Sequence, residues 1–192
     1  MREFVYYSAI ARTSGNFQVE DLRKAGRMDI VCNVLISALF LSHKLREDFR
    51  LHLIFTGPPD PPKHLIFEYD PDIPISKKDI AGLIKKMLYK CNKKGKITRV
   101  FPGCFIEKKS FQEVLKELEQ QDKKIFILDK RGEDIRKIET KELQKAVFVI
   151  GDHEGLPKKE IKRFKNKISI GNEVYFASQT IIIINNELDR RV

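Results

Sequence analysis

Apolar and polar residues follow two different periods along the first half of the chain. Residues 3–11 carry β-branched and aromatic side chains in the pattern of a strand. Residues 29–45 carry apolar side chains at helical spacing, which predicts a helix with Asp29 as its N-cap. The same criteria predict further strands at residues 51–56, 64–69, 97–101 and 104–106, and helices at 76–91 and 110–118. Ser110 and Glu113 have the spacing of a capping box.

The last third of the chain contains short segments that are mostly apolar and do not alternate regularly with polar residues. They predict strands at residues 124–128, 146–150 and 167–170, each followed by a loop with glycine or aspartate. Strands without a polar side are typical of a parallel sheet that helices cover on both faces. Ligands bind beyond the carboxyl ends of the strands in such sheets, so these three loops are expected to converge on one pocket. The predicted fold class is α/β with a mostly parallel sheet.

Length and composition indicate one folded domain. The 192 residues are 42% hydrophobic and 33% charged, which excludes a disordered chain. No stretch of 18 apolar residues is present, so no membrane-spanning helix is expected. The N-terminal residues lack the apolar segment of a signal peptide, and we therefore expect a cytoplasmic protein.

The chain is strongly basic, with 37 Lys and Arg against 27 Asp and Glu and a formal net charge of +10. This excess favours a nucleic-acid partner, because each contact with a phosphate releases counterions. The alternative is a lysine-rich surface that only keeps the protein soluble. Two segments concentrate the charge: nine basic residues and one acid lie at 76–99, and six basic residues and one acid lie at 157–168.

Several common catalytic and binding motifs are missing. Three cysteines without C-x-x-C and four histidines without H-E-x-x-H predict neither a disulfide framework nor a metal site. The chain has no P-loop, no G-x-G-x-x-G after its first strand and no G-x-S-x-G, so the usual nucleotide sites and the nucleophile elbow are excluded. The prolines at positions 58, 59, 61 and 62 make a stiff loop, which either holds Asp60 in a fixed place or is only a rigid turn.

Motifs along nearly the whole chain resemble a known family. Residues 147–157, with the sequence VFVIGDHEGLP, are similar to the central motif of the SPOUT methyltransferases. Five further segments, in their order and spacing, resemble the archaeal tRNA (pseudouridine-54-N1)-methyltransferases within that class. They are residues 26–29 (GRMD), 38–43 (ALFLSH), 57–62 (GPPDPP), 175–179 (YFASQ) and 186–190 (NELDR).

This resemblance implies a SPOUT fold in a single domain of residues 1–192. Its mostly parallel sheet would have helices on both faces and a C-terminal deep trefoil knot, with the knot and cofactor region at about residues 124–192. The β-branched run Ile181–Ile184 favours a strand by itself, but the resemblance implies a helix at a dimer interface. The implied protein is a homodimeric enzyme that uses S-adenosylmethionine (SAM) to methylate N1 of pseudouridine 54 in tRNA.

The resemblance also implies candidate site residues. The expected cofactor-binding residues are Leu128, Gly151, Ile170, Gly171, Asn172, Val174, Phe176, Ala177 and Thr180. Thr180 stands where the family has a cysteine, and it would serve if the backbone of this position lines the pocket. Arg27 and Asp29 are the first catalytic candidates, since a guanidinium can stabilise a developing anion and a carboxylate can accept the N1 proton. Asp60 is the second candidate base.

Alternative interpretations of these residues and of the function stay open at this point. Asp29 could be only a helix cap, and Arg27 could be only a phosphate contact. The alternative functions are a pseudouridine N1-methylase of ribosomal RNA, a ribose 2′-O-methylase of the same fold and a non-catalytic RNA-binding protein. The last alternative predicts RNA binding without SAM binding.

Overall fold

The computed structural model describes residues 1–92 and 95–191, which form one eight-stranded sheet flanked by helices. The strands are β1 (Arg2–Ser8), β2 (Phe49–Phe55), β3 (Lys63–Glu68), β4 (Thr98–Phe101), β5 (Cys104–Glu107), β6 (Lys124–Asp134), β7 (Ala146–Gly151) and β8 (Lys167–Ser169). The helices are α1 (Met28–Leu39), α2 (Ile80–Tyr89), α3 (Phe111–Gln120), α4 (Thr140–Leu143), α5 (Lys158–Arg163) and α6 (Ala177–Asp189). In these two ranges no helix is long and apolar enough to cross a membrane.

The sheet has the strand order β4-β5-β3-β2-β1-β7-β6-β8. The neighbours from β2 through β1, β7 and β6 to β8 pair in parallel, whereas β3, β5 and β4 add antiparallel pairs. This topology confirms the predicted α/β class with a mostly parallel sheet. The carboxyl ends of the five parallel strands lie at one edge, so the loops that follow these strands share that edge.

Alternate residues of the central strand β1 enter two separate cores. Phe4 and Tyr6 are buried in the core that contains the apolar residues of α1, α2 and α6. Val5 is buried on the other face, together with the apolar residues of α3. The prediction of helices on both faces is therefore confirmed. Burial of each such side chain contributes roughly 1.5–3 kcal/mol, which explains why the central strands are apolar on both sides.

Helix α1 begins and ends at residues other than those predicted. Arg27 occupies the N-cap position in the left-handed region, at φ 59° and ψ 41°, and its side chain does not cap the helix. Asp29 lies inside the first turn, so its predicted role as N-cap is wrong. The helix ends at Leu39 instead of residue 45, because Phe40 has an extended backbone and bridges to Leu45.

Two other helix predictions are confirmed. The Ser110 hydroxyl accepts a hydrogen bond from the Glu113 amide, and the Glu113 carboxylate accepts one from the Ser110 amide, which completes the capping box of α3. The β-branched run lies in α6, where Ile181 and Ile184 are fully buried and Ile182 is 53% exposed. Isoleucine has a lower helix propensity than the best helix formers, which costs about a few tenths of a kcal/mol per residue. Packing of this helix against α1 outweighs that cost.

The C-terminal turn of α6 is anchored to β1 and to the turn after β6. Asp189 accepts hydrogen bonds from Arg46 at 2.7 and 3.0 Å, and an Nη atom of Arg2 lies 2.6 Å from its carboxylate. The Arg46 hydrogen bond and the neighbouring charges lower the pKa of Asp189 to about 2. Arg191 donates to the carbonyl oxygen of Ile135 at 2.9 Å.

A line of buried polar side chains crosses the sheet on the α3 side. His52 Nε2 lies 3.1 Å from Glu3 Oε1, His52 Nδ1 lies 2.8 Å from His64 Nε2, and His64 Nδ1 lies 2.9 Å from Glu107 Oε1. Burial raises the pKa of Glu3, but hydrogen bonds from His52 and Lys123 outweigh it and hold that pKa at about 2. Burial lowers the pKa of His64 to about 4. No local sequence pattern indicates this line, because its members belong to four different strands.

The basic segment at residues 76–99 is partly used to hold the fold together. The Lys85 ammonium donates to the carbonyl oxygen of Phe17 at 2.6 Å and lies 5.7 Å from the centre of the Phe17 ring. This lysine therefore attaches the loop after β1 to α2. Lys93 and Lys94 of the same segment, and Val192, lie outside the described residues.

Candidate functional site

A cavity of about 290 Å³ opens at the carboxyl ends of β6, β7 and β8, where the sequence predicts that three loops converge. Six of the nine expected cofactor-binding residues line it: Leu128, Gly151, Ile170, Gly171, Val174 and Thr180. The other three do not line this cavity. Asn172 and Phe176 are exposed on the loop after β8, and Ala177 is buried at the start of α6. A role for these three residues in cofactor binding stays a prediction.

The remaining lining residues are apolar at the base and polar at the margin. The apolar ones include Ile127, Ile150, Leu156, Ile161 and Ile168, and the polar ones are Asp129, Lys130, Asp152, Ser169 and Glu173. This combination suits a ligand with a flat apolar part and several hydrogen-bonding groups. Residues 1–92 and 95–191 contain no cluster of three His, Cys, Asp or Glu side chains that could hold a metal ion.

Gly151 is required by the way in which the loop after β7 folds back on itself. A Cβ atom at this position would lie 2.6 Å from the carbonyl carbon of Gly155 and 2.8 Å from the amide nitrogen of Leu156. Gly155 has a φ of +79°, which allows the sharp return. A side chain at Gly151 would therefore displace the backbone of the loop itself, and the wall of the cavity with it.

Asp152 connects this cavity to the loop after β1. Its Oδ2 atom accepts hydrogen bonds from the Ser8 hydroxyl at 2.8 Å and from the Ala9 amide at 2.9 Å. Its Oδ1 atom accepts a hydrogen bond from the Glu154 amide at 2.9 Å. The loops after β1 and β7 are thereby fixed to each other. Sequence reasoning missed Asp152, although its position directly after β7 in a glycine-rich loop was a usable signal.

Arg27 and Asp29 form a bidentate ion pair at the start of α1, which begins at the same edge of the sheet as the cavity. The Arg27 Nε and Nη2 atoms donate to the two Asp29 oxygens at 3.0 and 2.9 Å. This hydrogen bonding lowers the pKa of Asp29 and raises the pKa of Arg27. Burial raises the pKa of Tyr6, and the charges of Asp152 and Asp29 raise it further.

The glycine motifs at residues 26 and 57 explain how the loops at this edge pack. A Cβ atom on Gly26 would lie 1.8 Å from the carbonyl oxygen of Ile10, and one on Gly57 would lie 2.4 Å from the same atom. Only glycine allows these approaches. The Gly26-Arg27 turn and the proline loop therefore both rest on the loop after β1.

Asp60 is held at the tip of the proline loop, as the stiff-loop interpretation predicts. Its amide donates to Thr13 Oγ1 at 2.8 Å, and its carboxylate accepts hydrogen bonds from Lys108 and, at 2.7 Å, from Lys63. The hydrogen bonds from Lys108 and Lys63 lower the pKa of Asp60 to about 2. Two ammonium groups oppose proton uptake by Asp60, as the Arg27 guanidinium opposes it at Asp29, and a catalytic role for either carboxylate stays a prediction.

Known proteins are similar to this chain over its whole length. A family model for SAM-dependent RNA methyltransferases matches residues 1–192. The tRNA (pseudouridine(54)-N(1))-methyltransferase of Methanococcoides burtonii is 38% identical over 203 residues, which cover 100% of this chain and 98% of the relative. The protein of the same name from Pyrococcus abyssi is 32% identical, with 99% of this chain and 98% of the relative covered.

A solved structure shares the fold at low sequence identity. Nep1 of Archaeoglobus fulgidus, bound to S-adenosylhomocysteine, superposes with a TM-score of 0.64 at 16% identity. The match covers 98% of this chain and 97% of that protein. It confirms the predicted SPOUT-class fold, whereas the trefoil knot stays a prediction.

Proposed function

This chain belongs to the family of SAM-dependent RNA methyltransferases, and we propose that it methylates N1 of pseudouridine at position 54 of tRNA. The observation that carries the proposal is the match along the whole chain to relatives that bear this name. The cavity at the carboxyl edge of the sheet supports it, because the expected cofactor-binding residues meet there.

The residues of the cavity fit SAM. Its apolar base suits the adenine ring, and the carboxylates of Asp129, Asp152 and Glu173 suit ribose hydroxyls and the ammonium group of the methionine part. Gly151 brings the backbone close enough for amide and carbonyl contacts. Thr180 lines the cavity and is 6% exposed, so a threonine fits where the family has a cysteine. When bound, SAM supplies a methyl group on a positively charged sulfur.

The ion pair of Arg27 and Asp29 is the proposed catalytic pair. Pseudouridine is a C-glycoside, so its N1 carries a proton that is lost when N1 takes up the methyl group. Arg27 uses two donors on Asp29 and retains others that can stabilise the negative charge on the base carbonyls. Asp29 holds the guanidinium in place and is the candidate acceptor of the N1 proton. Asp60 remains the second candidate.

A second copy of the chain is the proposed cover for the apolar surface at the start of α6. Val174, Phe176 and Ile182 are 81%, 76% and 53% exposed, and they belong to one stretch from the loop after β8 into α6. A two-fold contact would bury these residues from both copies. Since Val174 also lines the cavity, the partner would lie beside the cofactor. As an enzyme that acts on tRNA, the homodimer would work in the cytoplasm.

Methyl transfer from radiolabelled SAM tests the reaction. The substrate is a tRNA with pseudouridine at position 54, and the matched control is the same tRNA with uridine there. We expect 1-methylpseudouridine in the first tRNA and no transfer to the second, because uridine has no proton on N1. Equal transfer to both tRNAs would contradict the proposal and would favour a ribose methylase.

Two further results would support the alternative functions. Transfer to ribosomal RNA that contains pseudouridine, without transfer to tRNA, would favour the ribosomal methylase. Binding of tRNA without binding of SAM in calorimetry would identify a non-catalytic RNA-binding protein.

A further inference from the structure

Two unpaired cations stand beside the cavity because β6 contains an irregular stretch. The register between β6 and β8 shifts between Leu128 and Glu133, so the residues between them leave the regular pairing. Asp129 closes this turn, since its carboxylate accepts hydrogen bonds from the Arg131 amide at 3.0 Å and from the Lys167 ammonium at 3.1 Å. Lys130 and Arg131 are exposed at the tip, and Lys130 lines the cavity.

Helix α5 adds three more cations at the same opening. Ile161 lines the cavity, and Lys158 is its neighbour on the helix surface at the i−3 position. Lys162 is the i+4 neighbour of Lys158, and Lys159 is also exposed. We call Lys130, Arg131, Lys158, Lys159 and Lys162 the rim cations.

The rim cations have no acidic partner within the part of the chain that the structure describes. None of the ion pairs among residues 1–92 and 95–191 includes one of them. Their basic neighbours Arg163 and Lys167 are paired with Glu119 and Asp129. Three exposed carboxylates, Glu133, Glu154 and Glu173, lie near the same opening, and the half-buried Glu160 belongs to α5, so the five rim cations outnumber the exposed carboxylates there.

We propose that the rim cations are the surface that binds the phosphate backbone of the RNA beside the reacting base. This inference rests on the proposed function, because it places the RNA at the mouth of the cofactor cavity. An unpaired cation that reaches a phosphate releases counterions that are condensed on the RNA, and it does so without first breaking an ion pair within the protein. The segment at 76–99, which the sequence singles out equally, contains Lys85, whose ammonium is already used within the fold.

The salt dependence of tRNA binding tests this proposal. The main variant is Lys158→Glu/Lys162→Glu, and Arg131→Glu probes the β6 side. The control is Lys137→Glu/Lys141→Glu, which makes the same charge change on exposed residues near the C-terminal end of α6. That end is about 20 Å from the end that carries Thr180, since α6 has 13 residues. Affinity for a tRNA transcript is measured between about 0.05 and 0.2 M KCl.

The slope of log K against log salt is negative, and each lost phosphate contact is expected to make it shallower by about 0.7–0.9. For the α5 double variant this corresponds to tRNA binding that is up to about 60-fold weaker at about 0.1 M salt. Arg131→Glu is expected to weaken binding up to about 8-fold. The control is expected to keep the wild-type slope. Neither α5 lysine lines the cavity, so affinity for SAM, measured by calorimetry, is expected to stay unchanged and shows that the site is intact.

Two results would overturn the proposal. A wild-type slope in the α5 variant with normal SAM affinity would show that these lysines do not contact phosphates. An equal loss in the control would show that net charge, and not its position, determines binding. Failure of the proposed function is distinguishable: a wild-type protein that transfers no methyl group to tRNA refutes the reaction, while the comparison of slopes still decides the role of the rim cations.

Discussion

Replacing Arg27 by glycine is expected to leave the stability nearly unchanged while removing most of the activity. The backbone of Arg27 is in the left-handed region, at φ 59°, where a side chain with a Cβ atom costs about 1–2 kcal/mol. Glycine relieves this cost, although its larger freedom in the unfolded chain costs about 0.5–1 kcal/mol. The substitution also removes an ion pair whose side chains are 41% and 29% exposed. At that exposure the pair contributes about 0.2–1 kcal/mol.

These contributions nearly cancel, so the free energy of unfolding is expected to change by less than about 1 kcal/mol. In a protein of this size that corresponds to a Tm shift of no more than roughly 2–4 °C. Arg27→Ala loses the same ion pair but keeps the Cβ atom, and it is therefore expected to be less stable than Arg27→Gly. Both variants are expected to transfer the methyl group about 10²–10³-fold more slowly, as for the loss of one donor to a developing anion.

Scanning calorimetry measures the stability, and single-turnover methyl transfer to tRNA with pseudouridine 54 measures the chemistry. Arg23→Ala is the matched control, because Arg23 is an exposed cation in the same loop. Full activity of Arg27→Gly would remove Arg27 from the catalytic step. A destabilisation of Arg27→Gly above about 2 kcal/mol would show that backbone strain does not offset the lost contacts.

Three further predictions concern the cofactor, the dimer and pH. Gly151→Ala is expected to weaken SAM binding about 10-fold or more, since the clash of its Cβ with Gly155 would cost about 1–3 kcal/mol; unchanged affinity in calorimetry would remove this loop from the site. Ile182→Glu is expected to give a mass near 22.4 kDa in light scattering, and a wild-type protein of that mass would refute the dimer. The folded-state pKa of Glu3 and of Asp189 is about 2, below the ordinary values of 4.5 and 3.8, so their stabilisation is complete above pH 4.5 and is lost as pH falls toward 2. Thermal melts at falling pH are expected to show this loss of stability, and Asp189→Asn is expected to reduce it. An unchanged pH profile in that variant would show that Asp189 does not contribute to the loss.

The elements that depend on local sequence were predictable, and those that depend on distant contacts were not. Ser110 and Glu113 are three residues apart, so the sequence alone indicates their capping box. The end of α1 at Leu39 depends instead on the bridge from Phe40 to Leu45, which the apolar pattern does not reveal. The helical state of Ile181–Ile184 contradicts local propensity, and only the resemblance to a family predicted it.

The same distinction applies to the candidate site. Gly151 and Gly171 follow predicted strands, so the position of the cavity could be inferred from their loops. The state of Asp60 could not, because Lys108 is 48 residues away in the sequence and reaches it only in the folded protein. The pairing of Arg27 with Asp29 depends on a left-handed backbone just before the helix, and residue types alone do not predict such a conformation.

The contact between Arg2 and Asp189 makes the protein suitable for circular permutation. Because β1 begins beside the last turn of α6, a linker of a few residues could join the two. A new opening at the exposed turn around Asp122, which precedes β6, would place β6 to α6 at the front of the chain and β1 to α3 behind them. In that permutant α6 has covalent connections at both ends. A folded, active permutant would show that α6 reaches its place with both of its ends joined to other elements, which bears directly on the prediction of a C-terminal trefoil knot.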